Sequence, residues 1–119
     1  MSGRLTSPDD LGPEDLRRAL PRFQGEHFAH NLAVVEQLQR LADDKGATAS
    51  QLAIAWLLAQ GDDIVPIPGA ERRRWLEENA RAVEVRLTLV DLAAIEHVAP
   101  RGVAAGERYG PAGLAMVNL

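Results

Sequence analysis

Apolar side chains between residues 29 and 45 recur at three- and four-residue steps, the spacing that places them on one face of a helix. Polar side chains such as Glu36 and Arg40 fill the positions between them. The apolar positions are Leu32, Val35, Leu38 and Leu41–Ala42. Lys45–Gly46 follows, and glycine readily adopts the backbone conformation with which helices end. The pattern predicts an amphipathic helix that ends at Lys45–Gly46.

A second helix is predicted directly after the first. Thr48 and Gln51 have the spacing of a capping box, in which each side chain bonds a backbone N–H group that lacks a helical partner. Residues 52–59 are apolar almost all round, which is typical of a helix buried on most sides. Gly61 is expected to end this helix, and Trp56 within it is expected to pack in the core.

The next stretch combines a strand pattern with a helix pattern. The apolar run from Ile64 to Ile67 stops at Pro68–Gly69 and predicts one short strand at about residues 63–67. Residues 71–83 then return to helical spacing. The predicted inner face of that helix consists of Trp75, Leu76, Ala80 and Val83.

The start of this third helix is a candidate anion site. The first turn of a helix offers free backbone N–H groups and the positive end of the helix dipole. Three consecutive arginines, Arg72–Arg74, would add positive charge beside it. From spacing alone, a solvated helix face explains these arginines equally well.

A last helix is predicted to begin at Thr88, which forms a capping-box pattern with Asp91. Its apolar stripe is Leu92, Ile95 and Val98, and it is expected to end before Pro100.

The predicted elements divide residues 1–119, taken as a single partial domain, into three parts. Residues 1–28 form a loop-rich lead-in, residues 29–99 follow the order helix-helix-strand-helix-helix, and residues 100–119 form an irregular tail. A strand needs neighbours for its backbone N–H and C=O groups. With one predicted strand, part of the fold is expected to be missing.

Composition narrows the class of protein. Of the 119 residues, 46% are hydrophobic and 25% are charged, which is ordinary for a soluble globular protein. The net charge of −4 argues against nucleic acid as a partner, because binding phosphate backbones requires a basic surface. The chain has no cysteine and its histidines lack metal-ligand spacing, so no metal site is predicted. No stretch approaches membrane-spanning length, so no membrane partner is predicted and a cytoplasmic location is favoured.

Several motifs, taken in order and spacing, resemble the aldo-keto reductase family. They are Pro21-Arg22-Phe23-Gln24, Gln51-Leu-Ala-Ile-Ala-Trp56, Ile67-Pro68-Gly69, Leu76-Glu-Glu-Asn79 and Arg108-Tyr109. The similarity is to the C-terminal third of an aldo-keto reductase and runs from Pro21 to about Met116. Residues Leu5 to Leu11 look like the loop after the seventh barrel strand. The chain is most similar to the bacterial branch that also resembles voltage-gated potassium channel β subunits.

The resemblance implies an α/β parent fold, the (β/α)8 TIM barrel. A complete barrel takes about 250 residues, which is more than the 119 of this chain. The chain is therefore expected to be a C-terminal fragment, mostly α-helical with one short strand and an irregular tail. A natural truncation or a mis-called gene start would account for its length.

The resemblance also implies an activity. In the family, a nicotinamide cofactor transfers a hydride to a carbonyl carbon, and a tyrosine tuned by a lysine, an aspartate and usually a histidine acts as general acid. Tyr109 matches a tail motif and Lys45 a helix end, so no catalytic residue is carried over. The parent would be an NAD(P)-dependent oxidoreductase that acts on small aldehydes or ketones, and this chain alone is expected to be inactive.

Part of the cofactor's adenosine-phosphate site can be carried over from the family. Gly69 matches a position of close backbone approach, while Glu78 and Asn79 match residues that hydrogen-bond the adenine. The predicted cofactor-binding residues are Gly69, Arg72, Glu78 and Asn79. Trp75 could also stack at the cofactor loop, although packing towards the core is favoured for it.

Two neighbouring positions depart from the family pattern. Ala70 replaces a hydroxyl side chain that would meet phosphate, and Glu71 stands where a lysine is common. A carboxylate at Glu71 would repel a 2′-phosphate, whereas Arg72 could compensate. The preference between NADP and NAD is therefore left open.

A non-catalytic function is the alternative. Helices patterned to cover a barrel would leave apolar stripes such as Leu52-Ile54-Leu58 and the strand edge bare, which favours association. The chain would then be a helical interaction module, or a fragment like a regulatory subunit, that self-associates. A DNA-binding helical domain is disfavoured by the acidic balance.

The missing catalytic residues lead to a first prediction. We expect the purified 119-residue chain to oxidise NADPH no faster with an aldehyde or ketone present than without one. Absorbance at the reduced nicotinamide band measures this directly. A carbonyl-dependent rate proportional to the chain's concentration would contradict the prediction.

Overall fold

A computed structural model describes residues 3–117 of the chain, and the regular structure within them is helical. The α-helices are α1 (Gly25–Asp43), α2 (Ala49–Leu58), α3 (Arg73–Ala80), α4 (Leu89–Val98) and α5 (Pro111–Leu114). Short 3-10 helices span Pro8–Asp10, Leu16–Ala19, Pro21–Phe23 and Arg81–Glu84. Among the helices of the described residues, none is both long and apolar enough to span a membrane.

Helix α1 confirms the first helix prediction and extends it towards the N-terminus. It begins at Gly25 rather than near Ala29, so its first turn lies inside the predicted lead-in. The backbone N–H of Phe28 donates to the Gln24 carbonyl at 3.1 Å, and the Phe28 side chain is buried. At the other end Gly46 has a φ of +63°, the left-handed conformation expected where the helix stops.

Both capping boxes predicted from the sequence are present. The Thr48 hydroxyl accepts from the Gln51 backbone N–H at 3.2 Å, and the Gln51 side chain accepts from the Thr48 N–H at 3.0 Å. The Thr88 hydroxyl accepts from the Asp91 N–H at 3.2 Å, and the Asp91 carboxylate accepts from the Thr88 N–H at 2.7 Å. These bonds fix the first residues of α2 and α4.

The core lies where α1, α2 and α4 meet. Leu38 and Ala42 from α1, Leu52 from α2 and Ile95 from α4 form one buried cluster. The partly buried side chains around it are Val34, Leu41, Trp56, Leu87, Val98 and Ala99. The core position of Trp56 is therefore confirmed, and so are the later parts of the two predicted stripes, at Leu38 and Leu41–Ala42 of α1 and at Ile95 and Val98 of α4. The earlier stripe positions Leu32, Val35 and Leu92 are half-buried and do not belong to this cluster.

The burial predicted for α2 and for the third helix is partly wrong. Leu57 and Leu58 of α2 remain 38% and 39% exposed, because α1 and the Arg81–Glu84 turn cover only one side of this helix. On the third helix Leu76 and Val83 are 61% and 66% exposed, whereas Ala82 is fully buried. The chain continues after Ala80 as a 3-10 turn, so the assumed α-helical face does not extend to Val83.

The strand predicted at about 63–67 is absent from the described part of the chain. Residues 64–70 are irregular. The Ile64 N–H donates to the Gly61 carbonyl in a turn, and the Gly69 carbonyl lies 3.4 Å from the Asn79 side-chain amide. A strand is defined by hydrogen bonds to a neighbouring strand. Since residues 3–117 contain no second strand, the apolar run has nothing to pair with.

The tail returns to the start of α1 and is held there by polar bonds. The Asn31 side chain accepts from the Ala105 N–H at 2.8 Å and donates to the Ala105 carbonyl at 3.0 Å. The Arg22 guanidinium donates to the Gly106 carbonyl at 3.1 Å. Gly106 has a φ of +79°, and a Cβ there would come within 3.1 Å of the Arg22 backbone nitrogen.

An ion pair joins the end of α1 to the start of α4. The Lys45 ammonium donates to Asp91 Oδ2 at 2.5 Å, while the same carboxylate caps α4. The hydrogen bond from Lys45, followed by those from Thr88, lowers the pKa of Asp91 from 3.8 to about 2.

This lowered pKa predicts a specific acid sensitivity. A carboxyl group with a depressed folded-state pKa contributes stability above its unfolded pKa and loses it as the pH falls through the folded pKa. The Asp91 contribution should therefore be complete above about pH 4 and disappear towards pH 2. We expect Asp91→Asn to lower Tm at pH 6 by several degrees and to match the wild type near pH 2.

Thermal unfolding followed by circular dichroism between pH 2 and pH 6 measures this difference. Asp62→Asn is the matched control, because Asp62 takes part in no hydrogen bond or ion pair recorded among the described residues. A constant difference in Tm between Asp91→Asn and the wild type at every pH would contradict the assignment.

Candidate functional site

A surface pocket of about 430 Å³ lies beside α3 and contains most of the predicted site residues. It is formed by residues 69–71, by one side of α3 and by two arginines of the lead-in. The lining residues are Arg4, Arg17, Ser50, Gly69, Ala70, Glu71, Trp75, Glu78 and Asn79.

Three of the four predicted cofactor-binding residues line this pocket together. They are Gly69, Glu78 and Asn79. The fourth, Arg72, is the N-cap residue of α3, is exposed and does not line the pocket.

Glu78 is the most firmly placed residue of the pocket. Its Oε1 accepts from the Thr48 hydroxyl at 2.9 Å, and its backbone carbonyl accepts from the Gln51 side-chain amide at 2.9 Å. Its Oε2 lies 3.9 Å from the Arg4 guanidinium, and its side chain is 21% exposed. Glu78 thus presents a carboxylate whose direction is set by α2.

Gly69 and Asn79 face each other across the start of α3. The Asn79 amide lies 3.4 Å from the Gly69 carbonyl, which is long for a hydrogen bond. No described atom outside the neighbouring residues lies within 4 Å of a Cβ built at Gly69. The packing of this chain therefore does not itself require glycine there, and the position is free for close approach by a ligand.

Trp75 lies in the pocket rather than in the core that the sequence favoured for it. The Arg4 guanidinium carbon is 3.0 Å from the centre of the indole ring, and the Arg74 guanidinium carbon is 4.0 Å from it. Cations are attracted to the face of an indole ring by its quadrupole. Both arginines are therefore held near the pocket by an aromatic side chain.

Arg17 is oriented by a carboxylate of its own 3-10 turn. Asp15 accepts from the Arg17 Nε at 2.9 Å and from its Nη2 at 2.6 Å. These hydrogen bonds lower the pKa of Asp15 from 3.8 to about 2 and raise the pKa of Arg17. Such a two-point contact fixes the plane of a guanidinium group.

The charges that line the pocket are balanced. Arg4 and Arg17 are cationic, and Glu71 and Glu78 are anionic. Ala70 supplies no hydroxyl group. Any phosphate bound here would consequently depend on the two arginines.

Sequence reasoning missed Arg4 and Arg17. Both lie more than 50 residues before Gly69 along the chain, so local spacing does not connect them to the site. A signal was nevertheless available, because Arg4 directly precedes the Leu5 to Leu11 segment already associated with a barrel loop. Basic residues flanking that segment were the candidates to add.

A larger groove of about 630 Å³ lies on another part of the surface, between the α1–α2 loop and residues 81–86. None of the predicted cofactor-binding residues lines it, and it mixes Lys45, Arg81 and Arg86 with Asp44 and Glu84. Within residues 3–117 no three His, Asp or Glu side chains are grouped closely enough to hold a metal ion.

The donor set of the Trp75 pocket suits a phosphorylated adenosine. A carboxylate accepts hydrogen bonds from an amino group, an amide side chain both donates and accepts, and an indole ring offers a stacking surface. Arginine matches the geometry of phosphate. Glu78 and Asn79 supply the first two properties, and Arg4 and Arg17 supply the last. The indole ring of Trp75 already has the guanidinium groups of Arg4 and Arg74 over it.

Comparison with known proteins identifies a family for the sequence. Residues 1–100 match the model of the Aldo/keto reductase family. The match covers the lead-in, the pocket residues and the helices α1 to α4.

Two relatives illustrate the similarity. A protein of Schizosaccharomyces pombe, named aldo-keto reductase yakc with NADP(+) in its name, is 42% identical over 111 residues, which are 93% of this chain and 33% of the relative. Aldo-keto reductase str7 of Strobilurus tenacellus is 36% identical over 118 residues, which are 99% of this chain and 35% of the relative. The chain thus spans about a third of the length of these curated relatives.

Proposed function

We propose, from the premise that this chain belongs to the aldo/keto reductase family, that it supplies the adenosine-phosphate half of a nicotinamide cofactor site. The complete protein would be an NAD(P)-dependent oxidoreductase acting on aldehydes or ketones. The observation that carries the proposal is the grouping of Gly69, Glu78 and Asn79 around one pocket with Arg4 and Trp75.

The adenine end is assigned to α3. Glu78 would accept a hydrogen bond from the exocyclic amino group, and Asn79 would bond a ring nitrogen. Gly69 would let the backbone approach the ligand, because it carries no side chain towards the open space beside it.

The phosphate end is assigned to the lead-in arginines. Arg4 and Arg17 line the pocket, whereas Arg72 lies outside it. Two of the N–H donors of Arg17 already bond Asp15, so Arg4 is the stronger candidate for binding a 2′-phosphate. A role for Arg72 would require its exposed side chain to reach back over the start of α3.

The nicotinamide end of the cofactor and the hydride transfer are assigned to residues other than those of this pocket. When bound, the cofactor exchanges a hydride with a carbonyl carbon. The general acid and the groups that tune it have no counterpart among the motifs of this chain. The chain is therefore proposed to bind and orient the cofactor without catalysing the reaction, as the C-terminal part of a TIM barrel.

Preference for NADP over NAD depends on a balance of charges. Glu71 repels a 2′-phosphate, and Arg4 attracts it. Because Arg4 lies over Trp75 and near Glu78, its charge is already directed at the pocket, and we propose that NADP is preferred. One of the relatives carries NADP(+) in its name, which supports the same choice.

Titration with nucleotides tests this function. We expect adenosine 2′,5′-bisphosphate and NADP to change the fluorescence of Trp75 saturably, and NAD to bind more weakly. Arg4→Gln should weaken NADP binding by about tenfold, since it removes a charged hydrogen-bond donor. Arg73→Gln, outside the pocket, is the matched control.

The tryptophan signal needs its own control. Trp56→Phe leaves Trp75 as the reporter, and Trp75→Phe should abolish the fluorescence change. If calorimetry detects no binding of either nucleotide at millimolar concentration, the proposed function is wrong for this chain.

Two finer parts of the assignment rest on the sequence alone. One is membership of the bacterial branch that resembles potassium channel β subunits, and the other is a cytoplasmic location. Both stay predictions.

Exposed apolar side chains favour a second candidate function, self-association. Val65 and Ile67 are 80% and 92% exposed, and their backbone N–H groups donate no hydrogen bond to any described residue. An exposed apolar segment whose backbone N–H groups have no partner among the described residues is suited to pair with a second copy of itself.

Analytical ultracentrifugation tests self-association. We expect the wild type to sediment as a mixture of monomer and larger species that shifts with concentration, and Ile67→Lys to shift it towards monomer. Leu16→Lys is the control, because Leu16 is 86% exposed but lies in the lead-in. A wild-type chain that stays monomeric up to about 0.1 mM would count against this candidate, because its dissociation constant would then be higher than that of typical specific interfaces.

A further inference from the structure

The two capping boxes of this chain differ in the group to which the threonine hydroxyl donates its hydrogen bond. In both, the hydroxyl oxygen accepts from the third residue of the helix at 3.2 Å. Thr88 donates to Asp91 Oδ2 at 2.8 Å, inside its own box. Thr48 instead donates to Glu78 Oε1 at 2.9 Å, on a different helix and 30 residues away.

The second member of the α2 box also bonds Glu78. The Gln51 amide accepts from the Thr48 N–H at 3.0 Å and donates to the Glu78 backbone carbonyl at 2.9 Å. Glu78 is consequently held at two points, at its carboxylate by Thr48 and at its backbone by Gln51. A glutamate side chain has several rotatable bonds, and fixing both ends removes most of that freedom before a ligand arrives.

We infer that Thr48 is a positioning residue for adenine recognition: its hydroxyl orients the Glu78 carboxylate towards the amino group of the base. The inference rests on the proposed function of the pocket. Thr48 does not line the pocket, so it acts through Glu78 rather than by touching the nucleotide.

The two carboxylate oxygens of Glu78 have different partners. Oε1 is occupied by Thr48, and Oε2 lies 3.9 Å from the Arg4 guanidinium, a distance at which the charges attract without a close hydrogen bond. Each carboxylate oxygen has two acceptor positions, so Oε2, which accepts no hydrogen bond from a described residue, is the more open of the two to the ligand. Losing the Thr48 donor would let the carboxylate turn towards Arg4.

Selectivity for the amino group measures this role more specifically than affinity does. The probes are NADP and its hypoxanthine analogue, in which the adenine amino group is replaced by a carbonyl oxygen that a carboxylate repels. We expect the wild-type chain to bind NADP about tenfold more tightly than the analogue, the value of one well-placed hydrogen bond to a charged group. In Thr48→Val this ratio should fall towards 1, and in Thr48→Ser it should be retained.

Loss of the cap is separated from loss of positioning by two further variants. Thr88→Val removes the equivalent cap from α4 and should lower Tm without changing the ratio. Thr48→Gly removes the hydroxyl without adding a charge beside Glu78, and glycine is tolerated at the N-cap position, so it should fold and still lose the selectivity. It therefore decides the question if Thr48→Val fails to fold.

Each outcome has one meaning. A wild-type chain that binds NADP selectively, together with a Thr48→Gly variant that keeps the full ratio, overturns the positioning role and leaves the proposed function intact. A wild-type chain that binds neither nucleotide overturns both. A ratio that falls equally in Thr88→Val would mean that the effect is a general loss of stability, which also overturns the positioning role.

Discussion

The fold depends on covering one face of α1. Leu38 and Ala42 lie on that face and form a buried cluster with Leu52 of α2 and Ile95 of α4. Burying apolar area in this way is the main favourable term available to a helical chain of this size. The cluster is small, so the orientation of the helices depends strongly on polar contacts at their ends. The Lys45–Asp91 pair and the capping boxes supply those contacts.

The same packing places the candidate site. Helix α2 lies against α1 through Leu52, and its first residues reach across to α3 through the bonds of Thr48 and Gln51 to Glu78. The lead-in then brings Arg4 over Trp75. The pocket thus joins three segments that are distant along the chain, and each one is held by a bond to another. A local change at the start of α2 can therefore alter a binding residue on α3.

The accuracy of the sequence predictions depended on the range of the interactions. Both capping boxes were predicted correctly because their partners are three residues apart. The strand at about 63–67 was wrong, because a strand exists only through its neighbours and residues 3–117 offer none. The burial of Leu57, Leu58 and Val83 was overestimated for a related reason: an apolar pattern shows which face prefers to be buried, but not whether another element covers it.

The sequence by itself determined helices α1 to α4, the caps of α2 and α4 and the family, since these depend on residues close together in the chain or on motifs read in order. Helix α5, in contrast, lies in the predicted irregular tail. Gly69, Glu78 and Asn79 were candidates on that basis. Only the tertiary structure decided that these three share a pocket while Arg72 lies outside it. It also decided that Arg4 and Arg17 join them and that Trp75 faces the pocket. The reason is physical: where a side chain points relative to a distant segment is fixed by the packing of α1, α2 and α3, which no local pattern records.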